Sequence, residues 1–241
     1  MNGLSIIIPA YNEEKYLPAT IAALRESESC LRAKHAVDVE IVVVDNLSTD
    51  RTVEVATALG ARVLRCETRN IAAVRNTGIR DAKFDLVFTI DADCSLSENG
   101  LLKIYETMQT GAFVGGTVHL KMLSDRRLIQ FVTFVIQAVV SRVAGINGAI
   151  FFFRRDDALT IGGFSEVRLI AEDTVFARAL TAHGRTSGRK FAFLKDVIVT
   201  TTDRKNSTLR DLLPIIPHAI RSFHGRKVSI EDLKYWYDPK R

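Results

Sequence analysis

Residues 39–50 read VEIVVVDNLSTD. The run Ile41–Val44 is β-branched throughout and lacks the polar–apolar alternation of a half-exposed strand. It then stops abruptly at Asp45. Strands covered on both faces, as in a parallel sheet between two helical layers, have this pattern. The same reading applies to LSIII at residues 4–8, which ends in PAYNE, and to DLVFTI at 85–90, which ends in DAD. Helical patterns separate them. EEKYLPATIAALRES precedes the quoted stretch, with Pro18 tolerable in a first turn. After it, a helix capped by Ser48 or Thr49 runs through Ala58, with Gly60 just past its end. ARVLRC supplies a third strand, AAVRNTGIRDA a third helix, and ENGLLKIYETMQT a fourth helix opened by Ser97 and stopped by Gly111. This βαβα rhythm predicts an α/β fold, a doubly wound, mostly parallel sheet with helices on both faces. In such sheets ligands lie beyond the carboxyl ends of the strands, which is where the polar clusters fall.

Beyond residue 120 the pattern changes. Residues 125–145 read as a helix with one narrow polar stripe (Arg126, Gln130, Thr133, Gln137, Ser141) and a wide apolar sector. Its apolar runs are far short of the ~20 residues that a bilayer span requires, so a core helix or a membrane-facing one remain the two readings. GAIFFF is a further buried strand, AEDTVFARALTAHG a helix ended by Gly184, and KFAFLKDVIVTT contains the last strand.

The chain has 241 residues, 47% of them hydrophobic and 25% charged, enough to bury a full core. Cys30, Cys66 and Cys94 have no metal-like spacing, and their odd number argues for a reducing, cytoplasmic setting. The apolar N-terminal run breaks at Pro9 without a basic segment before it, unlike a signal peptide. Residues 204–241 carry nine Lys/Arg against four acids, an excess equal to the whole net charge of +5. With Phe223, Tyr235, Trp236 and Tyr237, this basic helical extension suits peripheral contact with anionic lipid as well as it suits a solvated face. No basic, aromatic-laced stripe occurs elsewhere, which disfavours nucleic acid as a partner.

The acids of LVFTIDADCS (Leu86–Ser95) admit two explanations: turn residues at a strand end, or oxygen ligands for a divalent cation. Glu172-Asp173 likewise reads either as a dipole-complementing helix start or as catalytic carboxylates. Cys94 reads as a small packing residue, and His35, His119 and His183 as ordinary surface or edge residues.

Six segments taken in order resemble family 2 glycosyltransferases, which have the GT-A nucleotide-sugar transferase fold. They are SIIIPAYNEEKYLPATIAAL, EIVVVDNLSTDRTVEVA, AAVRNTGI, FTIDADCSL, GAIFFFRRDDALTIGGF and AEDTVFARAL, spanning roughly residues 4–180. The resemblance implies a GT-A domain over residues 1–203, with a nucleotide-binding half at 1–120 and an acceptor half at 121–203. It implies that Pro9, Tyr11, Glu13, Asp45, Asn46, Arg75 and Asp91 contact the nucleotide. Asp93, with Asp91, would hold Mn²⁺ or Mg²⁺, and small Ala92 would leave room for the ligand. Asp173 would be the base, with Glu172 orienting the acceptor. In function it implies an inverting, metal-dependent transferase that moves a single sugar from a nucleotide-diphosphate sugar, UDP-sugar first, to a glycan or lipid-linked hydroxyl acceptor.

Two features depart from the family's wider pattern. A QxxRW signature of processive synthases is missing, and Asn46 stands where a second acid or Gly is frequent. His218 or His224 is a candidate further metal ligand. The alternatives are a nucleotidyltransferase, disfavoured by the acidic PAYNEEKY where a basic phosphate loop is wanted, and a non-catalytic nucleotide-sugar-binding module.

Overall fold

A computed structural model describes residues 3–123, 150–167 and 172–202. The expected helix at 125–145, the basic extension 204–241, His218 and His224 lie outside those residues.

The run 39–44 belongs to strand β2 (Asp38–Asp45), and LSIII to β1 (Gly3–Ala10). With β3 (Arg62–Arg65) and β4 (Leu86–Thr89) they form the parallel part of one eight-stranded sheet. The others are β5 (Cys94–Leu96), β6 (Phe113–Leu123), β7 (Phe151–Arg154) and β8 (Lys190–Thr202). The spatial order is β3-β2-β1-β4-β7-β6-β8-β5. β7 runs antiparallel to both β4 and β6, β8 is parallel to β6, and β5 is antiparallel to β8. The sheet is therefore mixed beyond β4.

The helices are α1 (Leu17–Arg32), α2 (Thr52–Ala58), α3 (Ile71–Asp81), α4 (Gly100–Gln109), α5 (Arg155–Thr160) and α6 (Glu172–Thr186). Pro18 sits in the first turn of α1, as its fixed φ allows. Gly60 at φ 73° follows α2, and Gly111 at φ 70° follows α4. α2 starts later than its sequence suggests. Ser48 and Thr49 bond across to Asn12, and Asp50 takes over the capping bond, accepting from the Thr52 backbone N–H at 3.0 Å. α6 passes Gly184 and ends at Thr186.

Every residue of β1 is buried. Because successive side chains in a strand alternate faces, Ile6 and Ile8 enter one core with Leu17, Leu24, Phe88 and Phe152. Ile7 enters the other with Val42, Val44, Phe153 and Phe176. At about 1.5–3 kcal/mol for each fully buried Ile, Val, Leu or Phe side chain, these two layers hold the sheet rigid beneath its carboxyl edge.

Candidate active site

Pairing register puts three polar clusters on that edge. Ala10 lies opposite Asp45, and Ile7 opposite Thr89, so the loops after β1, β2 and β4 leave side by side. β7, being antiparallel, begins there as well, with Phe151 opposite Thr89.

The first two loops are laced together. Asn46 N–H donates to the Ala10 carbonyl at 2.8 Å, Asn12 N–H to Ser48 Oγ at 3.0 Å, and Thr49 N–H to Asn12 Oδ1 at 2.8 Å. Glu13 N–H donates to Thr52 Oγ1 at 2.8 Å, and Glu14 N–H to Asp50 at 3.1 Å. Asn12 sits at φ 55° and Leu47 at φ 63°, a left-handed conformation that non-glycine residues hold only where surroundings enforce it. Pro9 lies buried in β1 opposite Val44. Tyr11 is half-exposed, with the Arg69 guanidinium 5.8 Å above its ring. Buried Asp45 accepts from the Ser48 N–H at 3.2 Å.

Asn46 has less freedom than its donor–acceptor chemistry suggests. Its amide nitrogen donates to the Cys66 and Thr68 carbonyls at 2.8 and 2.9 Å, fixing the loop after β3. Its contribution to a ligand is limited to the remaining oxygen.

The turn Asp91-Ala92-Asp93 follows β4. Ala92 does not line free space, as its sequence context suggests. It is 3% exposed, belongs to the core, and its carbonyl accepts from Thr20 Oγ1 of α1 at 2.7 Å. A small residue is needed there for packing, and the anchored carbonyl directs the flanking acids to the rim. Asp91 remains 41% exposed while accepting from Arg75 at 3.2 Å. Cys94 is buried, and burial together with Asp91 and Asp93 pushes its thiol up, so it is an unreactive packing residue.

Arg75, on α3, is not a helix-surface residue. It is 3% exposed, donates Nη2 to Asp91 and Nη1 to Glu172 at 3.1 Å, and lies 5.3 Å over the Phe164 ring. Burial opposes its charge, but Asp91, Glu172 and Asp173 together raise it above its ordinary value. Glu172 and Asp173 open α6. Burial, reinforced by the Asp173 carboxylate, pushes Glu172 up to about 7 against the opposing pull of Arg75. Burial also raises Asp173, again against Arg75, and one of its oxygens accepts from the Thr174 N–H at 2.7 Å. A raised carboxylate pair can accept a proton near neutral pH.

For a divalent cation, the donor set decides. Among the described residues no cluster of three or more His, Cys, Asp or Glu could hold a metal by itself. Asp91 and Asp93 offer two hard carboxylates at the rim. That matches the way Mg²⁺ and Mn²⁺ are held by one or two carboxylates, with waters and substrate phosphates completing the shell.

Three residues not anticipated from the sequence complete the site. Asn70 caps α3, accepting from the Ala72 N–H at 2.8 Å and donating to the Glu166 carbonyl at 2.7 Å. Asn76 grips Phe164, and Phe164 stacks on Phe176 at 4.0 Å between ring centroids, with planes 14° apart. The available signal was a polar residue on the apolar stripe of α3: Asn76 lies between Ala72 and Ile79, where only a satisfied amide is tolerated.

Comparison with known proteins identifies the family. Residues 5–161 match the family model for glycosyl transferase family 2. An uncharacterized glycosyltransferase of Mycobacterium tuberculosis is 32% identical over 111 residues, 46% of this chain and 46% of that protein. Glycosyltransferase AglE of Haloferax volcanii is 26% identical over 207 residues, covering 81% of this chain and 65% of its own. An undecaprenyl-phosphate 4-deoxy-4-formamido-L-arabinose transferase of Pseudomonas fluorescens is 29% identical over 153 residues, covering 59% and 43%. The matches thus cover 43–65% of these relatives' lengths, less than two thirds of each.

Among solved structures, glucosyl-3-phosphoglycerate synthase of M. tuberculosis with Mn²⁺, UDP-glucose and phosphoglyceric acid superposes with a TM-score of 0.66 at 17% identity, covering 95% of this chain and 82% of that one. S. aureus TarS 1–349 with UDP-GlcNAc gives 0.65 at 20% identity, covering 90% and 66%. At these identities the likeness is one of fold, the GT-A arrangement. Among the described residues no helix is long and apolar enough to cross a membrane.

Proposed function

Given that the chain belongs to glycosyl transferase family 2, we propose that it transfers a single sugar, with inversion, from a nucleotide-diphosphate sugar to a hydroxyl acceptor. The observation that carries this reading is the bridge from Asp91 through Arg75 to Glu172. It joins the strand-end edge suited to a nucleotide to a buried acid pair suited to proton removal.

In this reading the laced loops after β1 and β2 hold the nucleoside. Tyr11 offers its face to the base, and Pro9, Glu13 and Asp45 bound the pocket. Asp91 and Asp93 hold Mn²⁺ or Mg²⁺, which when bound supplies Lewis-acid stabilisation of the departing diphosphate. Asp173 accepts the proton from the acceptor hydroxyl as that oxygen attacks the anomeric carbon. Glu172, tethered by Arg75, orients the acceptor. Inversion follows when one carboxylate acts as base on the face opposite the leaving group.

UDP is the preferred nucleotide, supported by the UDP-sugars in two structural neighbours. The Mn²⁺ of the synthase supports the metal. A lipid-linked acceptor is supported by the undecaprenyl phosphate in the name of one relative.

The test is product formation from a panel of nucleotide sugars with Mn²⁺, using wild type and Asp173→Asn. Asp173→Asn should abolish transfer and leave donor affinity within about twofold, because it removes a base and no donor contact. Loss of donor binding in that variant would move Asp173 to the donor side, and its unchanged transfer would remove it as the base.

A further inference from the structure

We propose that Asn76 is a positioning residue for the acceptor side of the site, acting through Phe164; the inference deepens the transferase reading and rests on it. Asn76 lies on the buried face of α3, 5% exposed. Its carboxamide pairs with Phe164 as a neighbouring strand would. Oδ1 accepts from the Phe164 N–H at 2.8 Å, and Nδ2 donates to the Phe164 carbonyl at 2.8 Å. Nδ2 also donates to Glu166 Oε1 at 2.9 Å. Three bonds from one amide immobilise residues 164–166, and Asn70 adds a fourth at the Glu166 carbonyl.

The backbone before Phe164 is shaped to this grip. Gly163 has φ 71°, and a Cβ there would lie 2.4 Å from Asn76 Oδ1. No side chain fits between the loop and the amide.

What the clamp fixes is the Phe164 ring. It packs between Phe176 of α6 and the Arg75 guanidinium. Phe176 lies one helical turn after Glu172, so both share a face of α6. Arg75 holds Glu172 directly. Moving Phe164 therefore shifts the surface against which Arg75 and the start of α6 are set. The donor edge shares Arg75 through Asp91 but has fastenings of its own, Thr20 to Ala92 and the lacing between the first two loops. Slack in the clamp should thus be felt on the acceptor side first.

The experiment compares wild type with Asn76→Asp, Glu166→Ala and the double variant Asn76→Asp/Glu166→Gln. Asn76→Asp keeps the acceptor oxygen but turns the donor nitrogen into an oxygen facing the Phe164 carbonyl and the Glu166 carboxylate. Losing a hydrogen bond to a charged group should raise the acceptor KM about tenfold. UDP affinity with Mn²⁺, read by calorimetry, should stay within about twofold, and the Phe164 amide should exchange about tenfold faster with solvent.

In the double variant the new amide can donate to the new carboxylate and should recover part of the KM. The Glu166 side chain is 44% exposed, so Glu166→Ala should fold even if Asn76→Asp does not, and it should give a smaller change of the same kind. UDP affinity falling in step with transfer, a double variant no better than the single, or an unchanged Phe164 exchange rate would each overturn the inference. A wild type that binds UDP but transfers no sugar would sink the transferase reading instead, leaving the exchange rates and nucleotide affinities to decide the clamp.

Discussion

Glu172→Gln should make the protein more stable while impairing its chemistry. Glu172 is 12% exposed, and in the folded protein its carboxyl titrates near 7 rather than the usual 4.5. The folded state therefore binds this proton more tightly than the unfolded chain does. For an acid raised in this way, stability is greatest below the unfolded value and falls as pH rises from about 4.5 to about 7, after which the loss is complete. Multiplying that interval by 1.36 kcal/mol per decade gives a loss of about 3 kcal/mol by pH 8. Glutamine resembles the neutral acid and still offers an oxygen to Arg75, so the variant escapes the loss. The repulsion between Glu172 and Asp173 is part of this loss and disappears with the Glu172 charge, whereas the burial of Asp173 is common to both proteins. Urea unfolding of the two proteins should give near-equal stabilities at pH 4.5 and a gap that widens to about 3 kcal/mol, favouring the variant, at pH 8. Parallel curves across this interval, or a variant less stable than wild type at pH 8, would refute the reasoning.

Arg75→Met removes the cation that, among the described residues, bonds to both Asp91 and Glu172, and leaves the largely buried Glu172 carboxylate unmatched. It should destabilise by about 3–5 kcal/mol at pH 8 and by less at pH 5, in the same unfolding assay. In the transfer assay, wild-type activity should rise with pH up to about 7, following ionisation of the coupled Glu172–Asp173 pair, and a flat profile from pH 5 to 8 would exclude these acids as its cause. Two neighbouring glycines separate strain from collision. Gly162→Ala, at φ 84° with open space around it, should lower stability by about 1–2 kcal/mol, whereas Gly163→Ala should cost more because its methyl meets Asn76. Equal thermal shifts for these two variants would contradict the clamp geometry.

The parallel half of the sheet was legible because both its faces are covered, which leaves β1 and β2 as uninterrupted apolar runs. In the far half GAIFFF and KFAFLKDVIVTT were legible as β7 and β8, but β6 and β5 were not. β6 contains Gly115-Gly116, a pair that reads as a turn. In the fold a Cβ at Gly115 would lie 2.6 Å from the Phe152 carbonyl, and one at Gly116 2.5 Å from the Ala192 carbonyl. Close approach between neighbouring strands, which periodicity does not register, explains these glycines. β5, with three residues, and α5, with six, are too short to show any period.

In the site, the strand-end acids were visible because they interrupt apolar runs. Arg75 was identified as a site residue, but its burial was not legible, because a long cation on a helix ordinarily points to water. Its carboxylate partners are 16 and 97 residues away in sequence. Asn70 and Asn76 were missed for the same reason, their partners lying 88 to 96 residues away.

The central claim is that the strand-end edge binds a nucleoside diphosphate together with a divalent cation on Asp91 and Asp93. Its most direct test is the melting temperature of wild type and Asp93→Ala with UDP, GDP, CDP and dTDP, each with and without Mn²⁺. A ligand at about one hundred times its Kd stabilises the folded state by about 2.7 kcal/mol, which for a chain of this length is a rise of about 5–10 °C. The account predicts that rise for UDP with Mn²⁺ in wild type, and little or none without the metal or in Asp93→Ala. No shift with any nucleotide, or the same shift in Asp93→Ala as in wild type, would contradict it.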